Sequence, residues 1–161
     1  MLHDDTDIIP MAPGPLVLVV DDDAAPRNAV TRMLQELGYQ CRSCASGRAA
    51  LHFLGTHPGD AGLLLADLGM PGMDGGELAE RALDLDPGLV VALMAAPDDA
   101  ETRELLSGYH DLPLLWKPLV LPELARKIQD LVSARGSSPG YSLPASTRSR
   151  SRWRSSNRHE V

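Results

Sequence analysis

The sequence predicts an α/β fold, a doubly wound five-stranded parallel sheet with helices on both faces. Three observations carry that prediction. Four short apolar runs rich in Val and Leu recur along the chain and stop abruptly, the pattern of strands buried on both faces, and a more polar extended segment, Tyr39 to Ala45, adds a fifth strand. Segments with apolar residues at helical spacing lie between them. The joins are short and rich in Gly, Pro and Asp, so successive strands fit parallel pairing through right-handed helical crossovers.

Leu16 to Val20 is the first strand, running into Asp21, Asp22 and Asp23. Asp23 is placed to cap the helix that follows, Pro26 is tolerated in its first turn, and Val30, Met33, Leu34 and Leu37 recur at helical spacing before Gly38 closes it. Tyr39 to Ala45 reads as the second strand. Its cysteines, Cys41 and Cys44, are three apart, so alternation sends them to opposite faces, and they read as two reduced thiols.

Ser46 caps a short helix carrying Ala49, Ala50, Phe53 and Leu54, which ends at His57, Pro58 and Gly59. Gly62 to Ala66 is a third strand stopping at Asp67. The loop Leu68 to Gly76 follows, and Leu78, Ala82 and Leu85 mark the next helix. Leu89 to Met94 is the fourth strand, Asp98 to Ser107 a weakly amphipathic helix, and Leu112 to Trp116 the fifth strand, ending at Lys117 and Pro118. A last helix spans about Pro122 to Ala134.

Domain organisation follows from composition: an extension over 1–14, one domain over 15–134, and a basic Ser/Arg-rich tail over 135–161. Residues 1 to 133 hold 9 Lys and Arg against 21 Asp and Glu, whereas the remainder carries a net charge of +5 within a chain total of −7. Arg148, Arg150, Arg152, Arg154 and Arg158 lie among serines around Trp153, too few apolar residues for a core, so the tail is expected to be disordered and solvated. No apolar run approaches the roughly 20 residues that span a bilayer. The start, with Asp4, Asp5 and Asp7, lacks the basic region of a signal peptide. The expectation is a cytoplasmic protein without membrane contact. The five histidines show no ligand spacing.

Parallel sheets gather functional groups at the C-terminal edge of their strands. Here that edge receives Asp21 and Asp22 from the first strand, Asp67 from the third and Lys117 from the fifth. Crowded carboxylates repel one another and call for a cation. A hard divalent ion such as Mg2+ suits an oxygen-only donor set and commonly joins carboxylates to a phosphate. Phosphoryl transfer asks chiefly for positioning and charge neutralisation, which makes Asp67 a natural acceptor and Lys117 a natural contact for a phosphoryl oxygen. Taken singly, an acidic triplet before a helix is a cap, and an Asp at a strand end is a turn former. Their coincidence at the ends of strands one, three and five points to chemistry.

The stretches Val19-Val20-Asp21-Asp22-Asp23, Leu65 through Gly75 around Asp67, and Trp116-Lys117-Pro118-Leu119 resemble the response-regulator receiver family, CheY-like domains of the single-domain or hybrid-kinase type. The resemblance covers about residues 15 to 134. It implies the flavodoxin-like strand order 2-1-3-4-5, Asp67 as phosphoacceptor, and Mg2+ held by Asp22, Asp67 and the main-chain carbonyl of Gly69, with Asp21 acting through water. It also implies Lys117 on the phosphoryl group and a cis peptide before Pro118. The implied partners are a sensor histidine kinase or a histidine phosphotransfer protein and an unknown downstream protein, with a homodimer left open. Such a domain signals and is not an enzyme acting on external substrates.

Two positions depart from the family pattern. Ala95, after the fourth strand, stands where the family places Ser or Thr, and Leu114 stands where it commonly has Tyr or Phe. Both switch positions therefore lack their usual polar or aromatic group, and loss of a hydrogen bond to a charged phosphoryl is worth on the order of 1.5 to 3 kcal/mol. The competing readings are a pseudo-receiver that binds proteins without phosphorylation and nucleic-acid contact through the Arg tail. The intact acidic site argues against the first. The opposite charge of the adjoining domain argues against the second, so no nucleic-acid partner is expected.

Overall fold

A computed structural model describes residues 14–137. The elements, in chain order, are β1 (Leu16–Val20), α1 (Ala24–Glu36), β2 (Cys41–Cys44), α2 (Gly47–Thr56), β3 (Ala61–Asp67), α3 (Gly75–Leu85), β4 (Val90–Ala95), α4 (Ala100–Leu106), β5 (Leu114–Trp116) and α5 (Leu121–Ser137). All strand pairs are parallel, in the order β2-β1-β3-β4-β5. The expected doubly wound five-stranded sheet, with the 2-1-3-4-5 order, is the observed one.

Strand alternation splits the core into two layers. Leu18, Val20, Leu64, Ala66, Val91, Leu93 and Ala95 face α2 and α3 in one cluster. Val17, Val19, Leu63, Leu65, Ala92 and Met94 face α1 and α5 in the other, with Val30, Leu34, Leu124 and Ile128. Leu63, Leu64 and Leu65 are at most 1% exposed, because their strand is central and covered on both faces. Each such Leu contributes roughly 1.5–3 kcal/mol of transfer free energy, so the middle strands anchor the sheet. Cys41 packs against the α1/α5 layer and Cys44 lies in the other, as alternation requires, and both are free thiols.

Helix starts follow the side-chain caps. Asp23 accepts from the Ala25 amide, Ser46 from Ala49, Asp74 from Glu77 and Asp99 from Glu101. Gly38, at φ 94°, turns the chain out of α1 in a conformation that side chains with a Cβ resist.

Several boundaries differ from the sequence reading. The third helix begins at Gly75, inside the segment expected to be loop, because the Asp74 cap acts one turn before the first large apolar residue. Leu85, expected on its buried face, is 55% exposed in the last turn. The fourth helix is shorter, starting at Ala100, since Asp99 caps it in place of Asp98. The last helix runs through Arg135, Gly136 and Ser137, which were expected as tail. A single Gly costs a helix about 1 kcal/mol and does not stop one already propagating. The extension over residues 1–13 and the tail over 138–161 lie outside the described residues.

Candidate functional site

The C-terminal edge of the sheet brings the expected charges together. Asp21 follows β1, Asp67 ends β3 and Lys117 follows β5. Lys117 Nζ lies 2.7 Å from Asp67 Oδ1 and 3.0 Å from Asp21 Oδ2, so one ammonium joins the ends of three strands. Backbone bonds set this geometry. The Lys117 amide donates to the Ala95 carbonyl at 2.8 Å, the Leu68 amide to Met94 at 2.8 Å, and the Asp21 amide to Cys44 at 3.2 Å, extending the ladder past each strand end. The Lys117–Pro118 peptide is cis, as the resemblance implies.

Asp21 is 1% exposed and fully engaged. Its Oδ1 accepts from the Asp23 amide at 3.0 Å and its Oδ2 from Lys117, while its main-chain carbonyl accepts from Arg27 Nη1 at 2.7 Å. A buried carboxylate requires such partners. Asp22 is exposed, and Asp67 is half-buried between them in accessibility.

Burial holds the Asp67 carboxyl above its ordinary range. Lys117 opposes that shift, and the charges of Asp21 and Asp22 add to it. Burial also disfavours the Lys117 ammonium, but hydrogen bonds to Asp67 and Asp21 outweigh it, so Lys117 holds its proton more tightly than a free lysine.

One oxygen from each of Asp21, Asp22 and Asp67 falls within a mutual 4.8 Å. Three carboxylates against one ammonium leave an excess of negative charge, and every donor is a hard oxygen. Both properties fit Mg2+ or a similar divalent ion. Gly69, whose carbonyl was expected to join this set, sits exposed in the β3–α3 loop two residues beyond Asp67.

Two glycines that sequence reasoning passed over allow the loop to close. A Cβ at Gly75 would lie 2.5 Å from the Asp67 carbonyl oxygen, and one at Gly76 would run into the ring of Tyr109. The first glycine lets α3 start directly against the acceptor strand. The second admits Tyr109, 4% exposed, from the segment after α4. The Gly-Gly pair was the available signal, but its partners are distant in sequence. Arg27 was also missed, because nothing local marks a side chain that returns to the carbonyl of Asp21.

Ala95 is 1% exposed at the end of β4, and Leu114 of β5 pairs in register with Leu93 of β4. Both contribute to the layer facing α2 and α3, and neither presents a hydroxyl or an aromatic ring there. Beside the acidic site, a cleft of about 380 Å3 is lined by Asp22, Arg48, Met70, Pro71, Glu77 and Arg81. Arg81 is paired with Glu77 at 2.8 Å. The arginines of the competing nucleic-acid reading, in 148–158, lie outside the described residues. Among the described residues no helix is long and apolar enough to cross a membrane.

Comparison with known proteins agrees with this geometry. The response regulator receiver domain family matches residues 17–129. The chain is 30% identical over 118 residues to the response regulator receiver protein CpdR of Brucella abortus, covering 73% of this chain and 97% of that protein. It is 35% identical over 115 residues to the sensor histidine kinase RcsC of Salmonella typhi, covering 70% of this chain but 12% of the kinase. A receiver domain protein from Clostridium thermocellum has the same fold at a TM-score of 0.67 and 17% identity, covering 76% of this chain and 97% of that one.

Proposed function

The chain belongs to the response regulator receiver domain family of two-component systems, and on that premise we propose that Asp67 accepts a phosphoryl group from a histidine kinase or a histidine phosphotransfer protein. The observation that carries this reading is the Lys117 ammonium held between Asp67 and Asp21, beside a three-carboxylate cluster. An Asp67 oxygen attacks phosphorus as the bond to the donor histidine nitrogen breaks. The imidazole leaves with that bond's electron pair, and an acyl phosphate remains on Asp67.

Asp21, Asp22, Asp67 and the Gly69 carbonyl are the groups that would hold Mg2+, which when bound neutralises charge on the phosphoryl oxygens. Lys117 moves from pairing the free Asp67 oxygen to contacting a phosphoryl oxygen, while Asp21 keeps the ammonium in place. Residues 15–134 form the receiver unit, which acts in the cytoplasm by contact with a downstream protein.

Ala95 and Leu114 weaken the usual coupling of the aspartyl phosphate to the α4–β5 surface, because no hydroxyl follows the phosphoryl group and no ring fills the space behind it. The test is intact-protein mass with and without Mg2+ and a small phosphodonor, on wild type and Asp67→Asn. A Mg2+-dependent phosphate adduct absent from the variant is expected. No adduct under any condition would replace this reading with a receiver fold kept for protein contact alone.

A further inference from the structure

On the face of the sheet covered by α1, a recess of about 420 Å3 opens beside the acidic site. Pro26, Ala29 and Met33 of α1 form one wall, and Ala96, Pro118 and Leu119 form the other. Lys117 also lines it, but its ammonium is taken by Asp21 and Asp67, so the cavity surface is otherwise apolar. Ala29, Ala96 and Pro118 are exposed, and no described residue fills the space.

The chain next to the lining is acidic. Asp22 and Asp23 immediately precede α1, whose Pro26 and Ala29 line the recess, and Asp98 and Asp99 follow Ala96 in sequence, all four exposed. An occupant matched to this site has a large apolar group with cations on both sides.

The chain carries such a group. Trp153 is flanked directly by Arg152 and Arg154, with Arg148 and Arg150 preceding them. We infer that the segment around Trp153 of this same chain docks in the recess, its indole between α1 and the Pro118 turn and its arginines toward these aspartates. This reading does not depend on phosphorylation of Asp67.

Reach and tethering support an occupant from the same chain. The 17 residues of α5 begin just past Leu119 and carry the chain about 25 Å away at roughly 1.5 Å per residue. Residues 138–152 reach about 50 Å when fully extended, more than enough to return. A tether of this length gives an effective concentration on the order of millimolar, so even a contact of modest intrinsic affinity is populated. An indole removes more apolar surface from water than any other side chain here, and the paired arginines add attraction that salt weakens.

The test uses the full chain carrying Trp116→Phe, which leaves Trp153 as its one tryptophan. The expected emission is blue-shifted, shielded from iodide and independent of protein concentration. It should move to the solvated value with Ala29→Arg, which fills the recess and sets like charge against the tail. Arg152→Glu combined with Arg154→Glu should do the same while altering no residue of the fold. A solvated emission in the parent chain overturns the inference. So does shielding that survives both changes, which places the indole elsewhere, or shielding lost on dilution, which places it on a second copy.

Discussion

Lys117 Nζ sits 2.7 Å from Asp67 Oδ1 although the two residues come from opposite sides of β4 in the sheet. Truncating the lysine, as in Lys117→Met, leaves Asp21 and Asp67 facing each other without a cation. Breaking a fully buried pair costs about 3–5 kcal/mol. The Lys117 side chain is 23% exposed, so solvent screening reduces the expected loss to about 1–3 kcal/mol. Urea denaturation of the metal-free variant measures it. An unchanged midpoint would mean that the pair contributes nothing to the fold.

The pH dependence follows from the direction of the Asp67 shift. Burial, the largest cause, raises its folded pKa above the ordinary 3.8 despite Lys117. The native state therefore binds the Asp67 proton more tightly than the unfolded chain. That contribution is fully present below the unfolded value and is lost as pH rises through the folded one. Metal-free Asp67→Asn should melt higher than wild type at neutral pH, with the gap closing as the pH falls through the carboxylate range. Thermal melts across that range decide it, and a variant less stable than wild type at neutral pH contradicts it.

Gly76→Ala places a methyl group against the Tyr109 ring. Overpacking of this kind costs typically about 1–3 kcal/mol. Combining it with Tyr109→Leu should recover part of the loss, and a double-mutant cycle in denaturant measures the coupling. Additive losses would show that the ring does not set the requirement for glycine.

Ala95→Thr restores a hydroxyl at the end of β4, where Ala95 is 1% exposed. If the proposed chemistry holds, the variant should show a larger phosphodonor-dependent change in the amide spectrum of α4 and β5 than wild type. Identical phosphorylation kinetics and identical spectral change in both proteins would remove Ala95 as the cause of weak coupling.

Burial pushes the Cys41 thiol up to about 11 and also raises that of Cys44, which is 7% exposed. Both stay protonated at neutral pH, and the thiolate is the reactive form. A thiol reagent near neutral pH should label neither quickly in the folded protein and both on unfolding. Rapid labelling of Cys44 in the native state would show that its strand opens locally.

The sequence by itself determined the element order, the Asp23 and Ser46 helix caps and the strand ends that carry Asp21, Asp67 and Lys117, because these are local matters. A continuous apolar run stopping at a charge is visible in a few adjacent residues, and a cap binds an amide two or three residues away. The motif resemblance likewise located the cis peptide before Pro118. Strand order and strand ends also gathered Asp21, Asp67 and Lys117 at one edge, but tertiary structure alone decided the contacts they make there. Lys117 and Asp21 are 96 residues apart in sequence, and only the parallel register of five strands brings them to 3.0 Å. The same holds for Tyr109 against Gly76 and for Arg27 on the Asp21 carbonyl. Leu85 and the last turn of α5 show the converse: periodicity gives the direction of a helical face, but the extent of its cover depends on neighbours that no local pattern encodes.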